Sequence, residues 1–340
     1  AFQDDAATSA LMGRIGKLPG PDRPLRDALV ACGDAREVEG ARGFVNFVEG
    51  FHAADPGDVS ARWVAWMEET HSPGQSEYRS LRGAGAAFDA LAASLTERCE
   101  IRLRAVAREI RWRAGAVDVT VREAGDAGDQ VLSARNAIIT VPLPMLVGSS
   151  GTPGAIRFTP DISEKRQAGS LLRMGHAAKV VFEFKTPFWR AIKPLARMAF
   201  VFAEDQPFPT WWSGSGQTAM LTAWAGGPKA LRLAIEDQDM ILDRALASLS
   251  VALGVPRGTI EEQLLSHHYH NWSADPYSQG AYSYVAAGGF DAHLTLARPV
   301  GDTLFFAGEA TCGGGYNATL EGAAQSGWRA ADEVLAAAAR

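Results

Sequence analysis

Cysteine is scarce in this 340-residue chain: Cys32, Cys99 and Cys312 are the only three, odd in number and far apart. That argues against a disulfide framework and against a paired-cysteine metal or redox site, and it fits a reducing, cytoplasmic setting. Long apolar runs are missing too. The longest, such as 137–147, carry prolines and fall short of the roughly 20 residues needed to span a bilayer, so no membrane partner is expected. There is no Lys/Arg cluster interleaved with aromatics, and the formal charge is -6, so no nucleic-acid partner is expected either. The first residues lack an initiating Met, a basic start and an apolar segment, so they do not read as a signal peptide and the chain reads as beginning in mid-protein.

What remains is a globular composition, 47% hydrophobic and 21% charged, long enough for one large domain or two interleaved ones. Residues 1–75 read as helical: 24–32, 41–52 and a Trp-rich stretch at 59–69, where Trp63 and Trp66 stand on one face as packing residues. From residue 100 the pattern turns to strands, at 101–106, 109–113, 117–122 and 137–141, with hairpin signals at Ala114-Gly115 and in the 125–128 cluster. Further strands are expected at 179–184 and 219–224. A helix is expected at 237–253, with Leu242, Leu246, Leu249 and Leu253 as its apolar stripe and Gly254 as its stop. A strand at 303–307, the loop Gly313-Gly-Gly315 and a helix from Thr319 close the chain. The inward stripe of that helix reads as Leu320, Ala324, Gly327, Ala331 and Leu335.

An apolar strand followed by a small-residue loop and a helix start can present free backbone N–H groups and a positive dipole end to an electron-rich ligand. An ordinary strand–loop–helix packing unit reads the same way from spacing alone. The residues go further than the spacing. Leu304-Phe-Phe-Ala-Gly308-Glu309 followed by Ala318-Thr-Leu-Glu-Gly-Ala323 and Ser326-Gly327 closely resembles the C-terminal flavin-binding signature of the monoamine oxidase and polyamine oxidase family. Three more stretches match in order. Residues 78–94, with Gly83, Gly85 and Phe88, look like a glycine-led helix start of that family. Residues 101–142 are similar to its hairpin and return strand. Met174-Gly-His-Ala-Ala-Lys179, followed by Pro187-Phe-Trp189, looks like its lysine strand. The likeness covers about residues 75–338.

The resemblance implies an α/β fold with two interleaved domains, one an incomplete FAD-binding, Rossmann-like domain (79–165 and 273–340). The other is a substrate domain of mixed sheet plus helices (1–78 and 166–272). It implies oxidation of an amine C–N bond by hydride transfer to non-covalent FAD, with oxygen as acceptor and imine and peroxide as products. Lys179 matches the lysine that holds a water beside the flavin, although as a strand lysine it reads equally as solvated. Trp272 and Tyr282 match the active-site tryptophan and one wall of an aromatic cage, where ring faces hold an amine, although such a pair also suits a core. Cofactor contacts are implied for Val106 at the adenine, Gly308 and Glu309 near the ribityl and pyrophosphate, and the backbone of Thr319 and Leu320 at the flavin ring.

The family pattern also breaks in three places. Thr319 stands where monoamine oxidases have a second cage tyrosine, so simple monoamines are less secure as substrates. Ala281 replaces the cysteine that bonds the flavin. No Gly-x-Gly-x-x-Gly follows an apolar strand, so a separate N-terminal FAD-binding polypeptide is an expected partner. An amino-acid oxidase, a carotenoid-type desaturase and a non-catalytic flavoprotein-like subunit are the alternatives. His267, His268 and His270 cannot all face one ion from a strand and read as packing and surface residues. The Gly214-Ser-Gly-Gln stretch is no nucleophile elbow.

Overall fold

The computed structural model describes residues 6–33, 35–70, 83–95, 99–125, 128–149, 151–214 and 218–339. Parts of three expected features lie outside these: the 78–94 helix start, the 125–128 turn and the Gly214–Gln217 loop. Among the described residues no helix is long and apolar enough to cross a membrane, and no group of three or more metal-ligating side chains gathers.

The N-terminal third is helical as its periodicity requires, with helices Leu25–Cys32, Arg42–Phe51 and Ala61–Thr70. Trp63 is fully buried among them, and Trp66 packs edge-on against Phe290 at 5.7 Å. Strands β1 (Ala105–Arg113), β2 (Ala116–Glu123) and β3 (Gln130–Ala134) form an antiparallel meander. The expected strands 101–106 and 109–113 are one strand with a bulge between Ala107 and Glu109, and its start is set by Arg104, whose φ of 56° turns the chain before Ala105. Every residue of β3 is exposed, so no alternation marks it in the sequence. Strand β4 (Ala137–Ile139) leads into a short helix after Pro142, and β5 (Arg157–Thr159) joins the meander parallel to β1.

β6 (Leu172–Met174) pairs far along the chain with β12 (Ser283–Val285). β7 (Ala177–Phe184), β8 (Phe200–Phe202), β9 (Thr210–Ser213), β10 (Met220–Gly226) and β11 (Leu264–Tyr269) form an antiparallel sheet in the order β11-β7-β10-β9-β8. One face carries Val180, Phe182, Trp211, Leu221 and Ala223, which pack with Ile241, Ala245 and Leu249 of the Gln238–Leu253 helix. That helix matches its sequence reading: Asp237 caps it by accepting from Met240 N, and Gly254 ends it at φ 64°.

β13 (Leu304–Phe306) pairs in parallel with β4 and leads to the C-terminal helix Leu320–Ala338. The expected stripe of this helix is corrected. Leu320, Ala324, Ala331 and Leu335 face outward, Gly327 is half-buried, and the buried face is Gly322, Ser326 and Ala330. A Cβ at Gly322 would overlap the Tyr316 carbonyl, so the first turn of the helix comes close to the loop through a glycine, while further along Val334 packs against Phe305 and Arg329 donates to Phe306 O.

Candidate active site around the end of the Arg42–Phe51 helix

The last turn of the Arg42–Phe51 helix and the residues just after it are where the end of β10 and the link between β6 and β7 come together. Gly226, at the end of β10, lies so close that a Cβ there would sit 2.5 Å from the carbonyls of Glu49 and Gly50. One on Gly175, between β6 and β7, would sit 2.7 Å from the Ala53 carbonyl. Small residues therefore let three segments converge on a set of helix-end carbonyls that lack helical partners. Two aromatic side chains use them: Trp224 Nε1 donates to Gly50 O at 2.7 Å, and Tyr282 Oη donates to Phe51 O at 2.6 Å.

Those bonds tie Tyr282, a sequence-predicted residue, and Trp224 to adjacent carbonyls of one helix end. Lys179 is the cross-strand partner of Trp224 in the β7–β10 register, on the face opposite the Phe182 core. Tyr282 is held next to Gly175 by two backbone bonds, Gly175 N to Tyr282 O and Ala281 N to Gly175 O. Its phenol is pushed above the usual tyrosine range, chiefly by burial and then by the charge of Glu309.

Glu309 links Tyr282 to the C-terminal helix. Its carboxylate accepts from Ser283 N (3.0 Å), Ser283 Oγ (2.8 Å) and Ala318 N (3.1 Å). Burial raises its pKa, and these hydrogen bonds oppose the rise. The carboxylate thus fastens the start of β12 to the residue before Thr319. Thr319 Oγ1 in turn accepts from Gly322 N at 2.9 Å as the helix N-cap. Gly308, at φ 112°, donates its N–H to Ser326 Oγ at 2.9 Å. Lys179, Trp224, Tyr282, Glu309 and Thr319 therefore stand on one short path of bonded or cross-strand contacts.

Two predicted residues are not on that path. Trp272 is exposed, with its ring against His270 at 4.4 Å; its loop folds back on Met174 and Gly175 through Gly280, and His176 Nδ1 meets Ser273 Oγ at 2.9 Å. Val106 lies near the start of β1, opposite Arg122, about 20 Å along the strand from Trp112, the residue that touches Gly301 just before β13. Trp224 was not singled out from the sequence as a site residue. Its only mark there is a bulky ring just before a Gly-Gly pair.

The N-cap arrangement leaves the first two amides of the C-terminal helix, Leu320 and Glu321, outside the helical ladder, where the dipole is positive. A flavin offers electron-rich carbonyls of the kind such a helix end receives, so the residues present fit the group.

Comparison with known proteins gives the family and the fold. The family model for flavin containing amine oxidoreductases matches residues 25–335. The chain belongs to that family. Among its relatives, polyamine oxidase 2 of Arabidopsis thaliana is 31% identical over 294 residues, 85% of this chain and 54% of that protein. Lysine-specific histone demethylase 1 homolog 2 of the same plant is 32% identical over 233 residues, 66% of this chain and 29% of that protein. The chain thus spans about a third or less of the demethylases it matches. Putrescine oxidase bound to putrescine shares the fold at a TM-score of 0.76 and 19% identity, over 99% of this chain and 77% of that one. Cyclohexylamine oxidase from Brevibacterium oxydans does so at 0.76 and 19%, over 98% and 74%.

Proposed function

We propose that this protein oxidises an amine at the carbon beside nitrogen, with non-covalent FAD bound at the start of the C-terminal helix. The observation that supports the reading is a chain of contacts: Lys179 is the cross-strand partner of Trp224, Trp224 and Tyr282 donate to the adjacent Gly50 and Phe51 carbonyls, and Glu309 accepts from Ser283, next to Tyr282, and from Ala318, next to Thr319. Bound FAD would take the hydride, and oxygen would then reoxidise it with release of peroxide. The chain's own residues have simpler tasks. Tyr282, its hydroxyl anchored, presents a ring to the amine, and Trp272 closes the outer side. Lys179 holds a water and a proton close to the ring, and the amides of Thr319 and Leu320 face the flavin. Gly308, Glu309 and Val106 shape the path toward the adenine end. Ala281 has no thiol, so no covalent bond to the flavin forms there.

In this reading 79–165 and 273–340 make up the cofactor domain, and 1–78 and 166–272 the substrate domain, in a cytoplasmic enzyme. The ADP half of FAD is held by a further dinucleotide-binding βαβ segment, either upstream or on a second polypeptide. Three surfaces support this. β4 has β13 on one edge and no described strand on the other. The Gly85–Leu95 helix buries none of its residues and exposes Phe88 and Leu91. Ile138 of β4 is 45% exposed, although parallel sheets are normally covered on both faces.

The test is flavin uptake and amine-dependent peroxide release with a panel of amines, with and without an added βαβ segment. Lys179→Met should slow reoxidation of the reduced flavin about 100-fold and leave flavin affinity unchanged. Flavin uptake without oxidation of any amine would favour the amino-acid oxidase or desaturase reading, and no uptake at all the non-catalytic one.

A further inference from the structure

The face of the five-stranded sheet that carries Lys179 is lined with rings. Opposite Lys179 stands Trp224, whose centroid is 6.0 Å from that of Trp212; Phe200 follows at 6.2 Å and Phe202 at a further 6.3 Å, nearly parallel to Phe200. The strip runs from half-buried Trp224 to Phe200 and Phe202 at the exposed edge strand β8. A sheet face turned away from its core normally alternates to polar residues, so four rings in line need a reason. The inner end of the strip is fixed, because Trp224 Nε1 donates to Gly50 O, the carbonyl next to the one that holds Tyr282. Thr319 adds no ring to this corner. It is a small side chain, and its hydroxyl is used in the N-cap and in a 2.7 Å bond to Tyr316 O.

From this we infer that Trp224 forms the second aromatic wall of the amine pocket, facing Tyr282, and that Trp212 and Phe200 extend the wall outward. The pocket therefore selects an amine that carries a long apolar arm, with the nitrogen between Tyr282 and Lys179 and the carbon chain lying along the rings. The inference rests on the amine-oxidising reading and adds the residue that sets its substrate preference.

Octylamine and propylamine serve as long and short probes, with calorimetry for binding and steady-state kinetics for turnover. In Trp224→Ala the octylamine KM should rise roughly tenfold with kcat changed less than twofold, and the propylamine KM should rise by about threefold at most. Trp224→Phe keeps a ring and should stay within about threefold of wild type. Trp212→Ala should shift octylamine in the same direction by less, and it carries the test if Trp224→Ala fails to fold. Octylamine should also quench the indole emission of the wild-type chain, and the quench should shrink in Trp224→Phe. Trp328→Ser, on the outward side of the C-terminal helix, is the control and should change neither KM.

An unchanged preference for octylamine over propylamine in both Trp224→Ala and Trp212→Ala overturns the inference and leaves the oxidase reading standing. If the wild type neither binds nor oxidises either amine, the oxidase reading itself falls, and the inference with it.

Discussion

The sheet that carries Lys179 and the strand pair that leads to Thr319 bury their residues very differently. The five-stranded sheet closes one face with Phe182, Trp211 and Leu221, all fully buried against the Gln238–Leu253 helix. β4 and β13 are three residues each, and behind them Phe305, Ala307 and Ala330 form a small cluster of their own. The first region is a complete packing unit. The second divides its residues: Ile139, Leu304 and Phe306 join the large core with Phe158 and Leu296, whereas Phe305 meets only the small cluster, beside the polar clamps of Glu309, Lys165 and Arg329, which donates to Phe306 O at 2.7 Å. The Phe305 face of this pair, on the side proposed to hold the cofactor, therefore has more to gain from a covering segment, since whatever binds only the folded form stabilises it.

The sharpest way to break this contrast is to excavate both sides. Phe182→Ala should cost about 3–5 kcal/mol in urea denaturation, the usual range for a buried phenylalanine. Phe305→Ala, in the smaller cluster, should fall at or below the bottom of that range. If Phe305→Ala costs as much as Phe182→Ala, the cofactor side is as well packed as the sheet and the contrast fails.

Next in size is Glu309→Ala, which leaves the Ser283 and Ala318 donors without their carboxylate. A cost of about 2–3 kcal/mol is expected, together with greater dye binding from loosening near the C-terminal helix. Glu309→Gln should recover part of it, because an amide oxygen still accepts. Full stability in Glu309→Ala would show that the clamp does not hold β12 to the helix.

Much of the fold on both sides is legible in the sequence, and the misses share a physical cause. The stripe of Leu242, Leu246, Leu249 and Leu253 and the stop at Gly254 announce their helix locally, and the structure adds the Asp237 cap. β3 carries no alternation because it buries nothing. The C-terminal stripe differs from its sequence reading because hydrophobic periodicity selects Leu320 and Leu335, while close approach to the Tyr316 carbonyl requires Gly322, and Ser326 is buried where its hydroxyl bonds Gly308. At the proposed site, Lys179, Tyr282 and the Glu309 region are marked only by resemblance, since a strand lysine and a loop tyrosine look ordinary by themselves. Trp224 escaped because its partner is a backbone carbonyl 174 residues away, and no local pattern encodes such a pairing.

A smaller effect belongs to Lys165. It is fully buried, and its ammonium donates to Thr295 O at 2.6 Å and Arg298 O at 2.5 Å beside the Phe306 ring. Burial lowers its pKa from 10.5 to about 8. Between those values the folded chain releases the proton before the unfolded chain does, so this lysine's contribution to stability should grow as pH rises from about 8 to 10.5 and be lost again as pH falls through about 8. Lys165→Met should cost about 1–3 kcal/mol at pH 7 by stranding two carbonyls. The gap in melting temperature between wild type and variant should widen from pH 7.5 to pH 10. A gap that stays constant or narrows would mean the amine is not sealed from water.

The smallest effect in stability is the most telling for the comparison. Trp328 and Leu335 lie on the outward side of the C-terminal helix, 69% and 68% exposed. Replacing an exposed side chain rarely moves stability by more than about 0.5 kcal/mol, so Trp328→Ser should leave the denaturation midpoint where it is. Large apolar residues left on a surface favour association, so the same change should lower dye binding and self-association measured by light scattering. If Trp328→Ser instead destabilises the chain by about 2 kcal/mol, Trp328 is packed in solution and the cofactor side is more fully covered than its burial pattern implies. If it changes neither stability nor association, the outward face is ordinary surface, and the case for a covering segment narrows to the free edge of β4 and the Gly85–Leu95 helix.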